Sequence, residues 1–431
     1  MLSIRHVAAA IGGLLATAGP GSAVPAFAPA PAAIVVLALA VPTNPVTANE
    51  PTRAQEVGAS TSDLGSLRHA PGPAVPETVT VDEARSAIAR GVAWLTKNQR
   101  ADGAWGTASL ELLQLEFFSP ETHYAFQIGA NALAVRALLA VEETPERRAA
   151  LDKGIRWLCT TEMPKRGNDW DVDCSWSAVC GFDALVQVAL DPRFGEGELA
   201  TLVAARGKEF YALLEKHQDP LGGWGYYEGP VVSRRPTWST SFTTALVVPS
   251  LFAAAALPWN VDPKVGARAA EYLKSCALPT GAYEYDLNPI PRVNGGEGIN
   301  AVKGSLGRIQ VCNWARRRAG DKLVTDDKIR AGLEAFFENH AFLDVARTKP
   351  IPHEAYYQNA AYFYLFAHCF AARAINELPE AEREAFHARL RPHLVKVQSV
   401  DGSSFDFLGS TFMTTAGTSF AVLALQAGVS K

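Results

Sequence analysis

The 431-residue sequence has no basic run in its body, no CxxC pair, no apolar stretch of bilayer length and no sustained alternation of apolar and polar residues. Each absence excludes something. Net charge is only −4, and Arg234-Arg235 and Arg316-Arg317-Arg318 are too short to follow a phosphate backbone. Both arginine clusters read as solvated surface, and nucleic acid is not expected as a partner. A spanning helix needs about 20 apolar residues, which no run supplies. Period-two patterning is the signal of a half-buried strand, so its absence argues for an all-helical chain. The loop Asn294-Gly295-Gly296-Glu297-Gly298 is glycine-rich but follows no strand, so it is not a phosphate loop. What the chain does have is apolar content: 48% of its residues are hydrophobic, enough for a large core.

The N-terminal region reads as a targeting segment. Arg5 and His6 precede an apolar run from Val7 to Ala18, and a second run extends from Ala32 to Val41. Pro20, Pro25, Pro29 and Pro31 prevent the two from joining into one helix. Val46-Thr47-Ala48 places small residues where a signal peptidase cuts, so residues 1–48 are predicted to be a secretory signal, with a retained membrane anchor as the alternative. Residues 49–81, rich in Pro, Ala, Ser and Thr, cannot bury enough apolar surface to order themselves and read as a flexible linker. Export across the cytoplasmic membrane would permit disulfides among Cys159, Cys174, Cys180, Cys276, Cys312 and Cys369. Spacing reveals no pairing, and a large helical core favours buried thiols.

From residue 82 to 428 the chain repeats itself. The fullest copy runs Arg90-Gly91-Val92-Ala93-Trp94-Leu95, Gln99, then Asp102-Gly103-Ala104-Trp105-Gly106. Lys153-Gly154-Ile155-Arg156-Trp157-Leu158 repeats its first half; Arg206-Gly207, Gln218 and Gly222-Gly223-Trp224 form a third copy. A weaker fourth has Tyr272-Leu273 and Gly281-Ala282-Tyr283, and a sixth has Gln398, Asp401-Gly402 and Phe405. A fifth, Lys328 to Ile375, keeps the helical pattern with Pro350 and Pro352 in place of the glycine turn. Each copy is one helix, a glycine-rich turn, a polar loop, and a second helix of small apolar residues: Ser175 to Leu190, Thr240 to Leu257, Asn359 to Ile375 and Thr411 to Gln426. Six such hairpins closing on themselves predict an all-α (α/α)6 toroid, an inner ring of helices inside an outer one.

The first copy resembles the Gln-Trp motif of squalene and oxidosqualene cyclases, a repeat also found in protein prenyltransferase β subunits. The resemblance implies that Gln99 caps the next helix while Trp105 stacks on it, a structural role. It also implies an isoprenoid or other hydrophobic molecule bound in the ring, peripheral contact with a membrane surface, and chemistry at the N-terminal ends of the inner helices. No cofactor is implied. The segment Asp171-Val172-Asp173-Cys174 is similar to the Asp-x-Asp-Asp acid motif of class II terpene cyclases, with Cys174 in the last position; the resemblance makes Asp173 the proton donor and Asp171 the neighbour tuning it. Such an acid stays protonated only by burial or beside a second carboxylate. Both residues are equally well explained as helix-start carboxylates. No Gly-Cys-Gly-Glu-Gln thioester occurs, which excludes the complement-like toroids.

Further candidates gather at the same predicted mouth. Asp173-Cys174 with His353 or His368 has the wrong register for zinc, and no metal site is expected. His123 before the first inner helix, and His353, Tyr356 and Tyr357 before the fifth, could line a cavity and serve a carbohydrate lyase or hydrolase, or simply cap and pack. Trp176, Trp238, Phe242, Trp314, Tyr362, Tyr364 and Phe412 offer π faces that stabilise a cation, or fill a core. Three readings stay open: a cyclase-like enzyme, a non-catalytic exported binding module, and a carbohydrate-active toroid. An apolar, aromatic lining favours lipid, whereas Arg, Asn, His and Tyr favour sugar.

Overall fold

Among the described residues, the first helix begins where Thr80 and Glu83 form a capping box. The Thr80 hydroxyl accepts from the Glu83 amide at 3.2 Å, and the Glu83 carboxylate accepts from the Thr80 amide at 2.8 Å. Helix α1 (Val81–Lys97) thus starts one residue before the repeat was expected to. Twelve more α-helices follow among the described residues: α2 (Pro120–Leu139), α3 (Pro145–Thr160), α4 (Ser175–Leu190), α5 (Gly197–Lys216), α6 (Ser241–Ala253), α7 (Pro263–Ser275), α8 (Leu306–Arg318), α9 (Asp326–Glu338), α10 (Ala341–Arg347), α11 (Phe363–Ile375), α12 (Glu380–Lys396) and α13 (Thr411–Ala427). The structure, a computed structural model, describes residues 77–108, 119–167, 174–227, 229, 236–287, 298–347, 353–354, 356–406 and 411–429. Only isolated β-bridges, no strands, occur among them. The expected signal and linker, apart from residues 77–81, lie outside the described residues, as do Arg234, Arg235, Pro350 and Pro352.

Helices α2, α4, α6, α8, α11 and α13 each pack against the next, and α13 packs back against α2. Each is also covered by the outer helix that follows it, α3, α5, α7, α9 and α12, with α1 covering α13. That closure makes the chain an (α/α)6 toroid. Helix α10 is an addition to the pattern, packed on α11. The inner helices other than α8 are predominantly apolar, and small residues stand at contacts; a Cβ on Gly129 would lie 3.5 Å from the Trp176 carbonyl, and one on Gly307 would lie 3.1 Å from Ala367. Connections from inner to outer helices are short (140–144, 191–196, 376–379), whereas those from outer to inner are long (98–119, 217–240, 276–305). All the long connections lead into N-terminal ends of inner helices, so one end of the ring carries the loops. That is where function-bearing segments concentrate.

The repeated turn ties successive hairpins together, with one change from expectation. Gln99 Nε2 donates to the Ala150 carbonyl of α3 at 2.8 Å; Gln218 does the same to Val265 of α7 at 2.9 Å, and Gln398 to Ala87 of α1 at 2.8 Å. The glutamine therefore donates to a carbonyl within the next outer helix; it does not cap that helix's amides. The orphan amides of inner helices are met elsewhere: Ser175 N donates to the Tyr226 carbonyl (2.8 Å), Ser241 N to the Tyr285 carbonyl (2.9 Å), and Leu365 N to the Asp406 carboxylate (2.8 Å). Trp105 is fully buried, its indole N–H on the Leu95 carbonyl at 2.8 Å, and its ring lies where a Cβ on Gly154 would come within 2.7 Å. Gly103, Gly222 and Gly402 have φ of +95°, +107° and +92°, and a Cβ on each would meet a carbonyl of the next outer helix within 2.5 Å. Only glycine tolerates both conditions.

Two sequence assignments are corrected. Ser404, not Phe405, occupies the tryptophan position of the last copy: its amide bonds Thr418 Oγ1 at 2.9 Å, as the Trp224 amide bonds Thr244 Oγ1 at 3.0 Å. Arg316 is not solvated surface. It pairs with Asp321 at 2.7 Å and donates to Tyr283 Oη at 3.0 Å, both ion-pair side chains being buried, because the end of α8 is folded under its own turn. Arg317 is partly buried on Asp326, and Arg318 alone of the three is mostly exposed. No disulfide joins the six cysteines, five of which are buried.

Candidate functional site

The loop-bearing end of the ring contains an aromatic collar. Phe242, at the start of α6 and only 3% exposed, is its centre. Around it lie Trp176 on α4 (ring centroids 6.0 Å apart), Tyr226 (6.0 Å), Tyr285 (5.8 Å) and Phe363 on α11 (5.8 Å). Trp176 stacks on Tyr226 at 5.8 Å, and Trp238 meets Tyr226 edge-on at 5.0 Å. The surrounding rings are half-buried, so the collar presents a partly open aromatic surface. The backbone explains the placement: the carbonyls of Tyr226 and Tyr285 hold the first amides of α4 and α6, which fixes both phenols over the preceding inner helix. Their hydroxyls also hydrogen-bond each other. The buried indole N–H of Trp238 finds no acceptor among the described residues.

Below the collar the lumen is filled. Phe242 reaches Phe366 of α11 at 6.1 Å across the intervening α8, and Phe366 meets Phe420 of α13 at 6.0 Å and Phe370 at 4.8 Å. Trp314 on α8 packs on Phe370 at 5.4 Å. Deeper, toward the C-terminal ends of the inner helices, the lining turns polar. Arg136 of α2 bonds Asp183 of α4 at 3.0 Å, and Ser250 of α6 donates to the same carboxylate at 2.6 Å. Arg373 of α11 lies over Trp314, 4.8 Å from the ring centroid. Burial lowers the Arg136 pKa, and Asp183 partly offsets this. Burial also raises the nearby Cys180 thiol to about 12, which keeps it protonated and inert. This polar knot was not foreseen; its members are scattered singly over four helices.

The expected site residues fall into separate groups. Trp176 and Trp238 belong to the collar. Cys174 is the buried residue preceding α4, and its carbonyl accepts from the Ser177 hydroxyl at 2.8 Å. Asp171 and Asp173 lie outside the described residues. His123 is fully buried at the start of α2, packed between Phe126 and Phe412. His353 is exposed; its Nε2 is 2.8 Å from the Tyr362 hydroxyl and its Nδ1 2.8 Å from the Gln358 carbonyl, and its ring approaches Phe363 of the collar at 6.4 Å. Tyr356 and Tyr357 pack edge-to-face at 4.7 Å, with Tyr356 52% exposed. His368 does not turn toward Cys174; it faces the outer ring and pairs with His340 at 2.9 Å. No helix among the described residues is long and apolar enough to cross a membrane.

No family model and no curated protein matches the sequence. Solved structures do. A possible member of the GH105 family from Salmonella enterica is similar with a TM-score of 0.50 at 13% identity, covering 84% of this chain and 96% of that one. A variant of the type II terpene cyclase MstE from Scytonema, bound to geranylgeranyl dihydroxybenzoate, has a TM-score of 0.45 at 14% identity over 80% and 98% of the two chains. A glycosyl hydrolase of family 88 from Bacteroides vulgatus has a TM-score of 0.48 at 13% identity over 81% and 99%. At such identities the likeness is one of fold, and a toroid hosts unrelated chemistries. The likeness therefore shows the fold alone, that of an α/α toroid.

Proposed function

We propose that the ring binds an isoprenoid or similarly hydrophobic molecule on the aromatic collar and carries out acid-initiated cyclisation with Asp173 as proton donor. The observation that supports this reading is the half-buried set Trp176, Tyr226, Trp238, Tyr285 and Phe363 around Phe242. An apolar ligand gains about 25 cal/mol for each Å² it removes from water there, and the ring faces stabilise positive charge as it develops. Asp173 directly precedes Cys174 in the sequence, three residues before Trp176. Its carboxylic acid would add a proton to an alkene or epoxide and, as carboxylate, accept one when the final cation loses it. Asp171 and desolvation would keep the acid protonated.

Mass spectrometry of lipids co-purifying with the protein tests the ligand class, and Asp173→Asn tests the chemistry. The expected result is a bound hydrophobic molecule in both proteins and cyclised product only with wild type. Binding without turnover in either would leave a non-catalytic module. One observation favours a different reading: the His353–Tyr362 hydrogen bond is an acid–base pair of the sort a carbohydrate lyase uses. Cleavage of an acidic polysaccharide, lost in His353→Ala, would establish that reading and remove the first.

A further inference from the structure

Behind α11, on the side away from the lumen, three histidines meet. His340 follows α9, His368 lies on α11 and His393 lies near the end of α12. His340 and His368 are buried, at 5% and 0% exposure, and His393 is half-buried. The lumen-facing side of α11 carries Phe363, Phe366 and Phe370, so the helix itself separates this cluster from the collar. One potential ligand nitrogen from each of the three lies within 4.8 Å of the others.

The hydrogen bonds fix which nitrogens carry protons. His368 Nδ1 is 2.7 Å from the Tyr364 carbonyl, which can only accept, so that nitrogen is an N–H. His340 Nδ1 is 3.0 Å from the Asp344 carboxylate and is likewise its natural donor. A neutral imidazole that donates from Nδ1 has a bare lone pair on Nε2. Yet His340 Nε2 and His368 Nε2 point at each other across 2.9 Å. Two bare lone pairs at that distance repel unless a cation lies between them. The His393 ring lies tilted against His340 with centroids 3.7 Å apart, and one of its nitrogens comes within 4.8 Å of the other two. Carboxylate and carbonyl partners on the far nitrogens are the arrangement that orients metal-bound histidines and strengthens their basicity.

We propose that His340, His368 and His393 form a binding site for a divalent transition metal of the zinc class, with Asp344 and the Tyr364 carbonyl as its outer supports. Imidazole is a favoured ligand of zinc, and Zn–N bonds of about 2.0–2.1 Å require ligand nitrogens roughly 3.3 Å apart in a tetrahedron. The His340 and His368 nitrogens reach that spacing by moving about 0.4 Å apart. The fourth position, on the half-exposed His393 side, is left to water. The ion would join the α9–α10 junction to α11 and α12, stapling the fifth hairpin to the sixth from outside the lumen. A single proton shared by His340 and His368, with Asp344 as counter-ion, is the competing explanation of the same geometry.

The test uses tag-free full-length protein, stripped with a chelator and titrated with Zn2+ against a chromogenic competitor, and separately with Co2+. One zinc per chain with micromolar or tighter affinity is expected, and cobalt should show tetrahedral visible bands without a thiolate charge-transfer band. His393→Gln, at the half-exposed ligand, should weaken zinc at least tenfold while the metal-free protein keeps its circular dichroism and melting midpoint. Asp344→Asn should weaken it about 10–100-fold. Failure of wild type to bind either metal, a thiolate band, or full affinity in His393→Gln would each overturn the proposal; the first would leave the shared proton.

Discussion

Replacing Trp105 probes the repeat at its most tightly packed point. The side chain is fully buried, its N–H bonds the Leu95 carbonyl, and its six-membered ring occupies the space above Gly154 of the next hairpin. Trp105→Ala should cost about 3–5 kcal/mol, the range for large aromatic-to-alanine changes in cores. Gly154→Ala places a Cβ 2.7 Å from two Trp105 ring carbons. Overpacking of that kind costs about 1–3 kcal/mol, against a helix-propensity gain of about 1 kcal/mol. The two changes together should not add. Once the indole is gone, the alanine methyl enters the vacated space, and Gly154→Ala should become stabilising by about 1 kcal/mol. Urea denaturation of the four proteins, followed by tryptophan fluorescence and circular dichroism, gives the coupling energy. A sum of single effects that matches the double variant within about 0.5 kcal/mol would refute the stacking argument, since uncoupled sites behave that way.

Gln398→Ala, which breaks the link from the last hairpin to Ala87 and Arg90 of the first, should lower stability by roughly 1–3 kcal/mol in denaturant melts. The mature N-terminus should be Asn49, found by mass spectrometry of protein from the cell envelope; an intact Met1 would indicate an anchor. His387 provides a pH test. It is 4% exposed, and burial, then Arg391 and Arg383, lower its pKa to about 4, with Glu384 opposing. The unfolded chain binds that proton near pH 6.5 and the folded chain does not, so stability is full above pH 6.5 and falls as pH drops toward 4. The contribution is up to about 3 kcal/mol. Stability measured from pH 7 to 4 should fall less steeply in His387→Gln than in wild type; equal slopes would contradict it.

The repeat made the toroid readable because its chemistry is local. Gln99, Gly103 and Trp105 sit within one turn, and their spacing returns in full at Gln218, Gly222 and Trp224 and in part at Gln398 and Gly402. Even there the direction of the glutamine bond escaped, since an amide can donate or accept and only the neighbour's position decides. Aromatics at inner-helix starts, Trp176, Trp238 and Phe242 among them, were visible as candidates. That Phe242 is their centre follows from α6 facing α11 across the ring, which spacing does not reveal. The histidine cluster was invisible for a similar reason. His340, His368 and His393 come from one turn and two helices with no common motif, and the one sequence argument that touched His368 aimed it at the wrong side of its helix. Arg316 was misjudged because a run of three arginines looks solvated until Asp321 and Tyr283 are seen beneath the first.

The seam between α13 and the first hairpin has a consequence in time. A chain emerging N-terminus first completes its early hairpins long before Gln398 and α13 exist. Until then α1 lacks the inner helix it covers, α2 lacks one of its two neighbours, and apolar flanks stay bare at both ends of an unfinished arc. Contacts between residues as far apart in sequence as Arg90 and Gln398 come late and slow a fold's completion. Loss of the final helix would therefore undo more than one hairpin: it would leave the beginning of the ring without its other half.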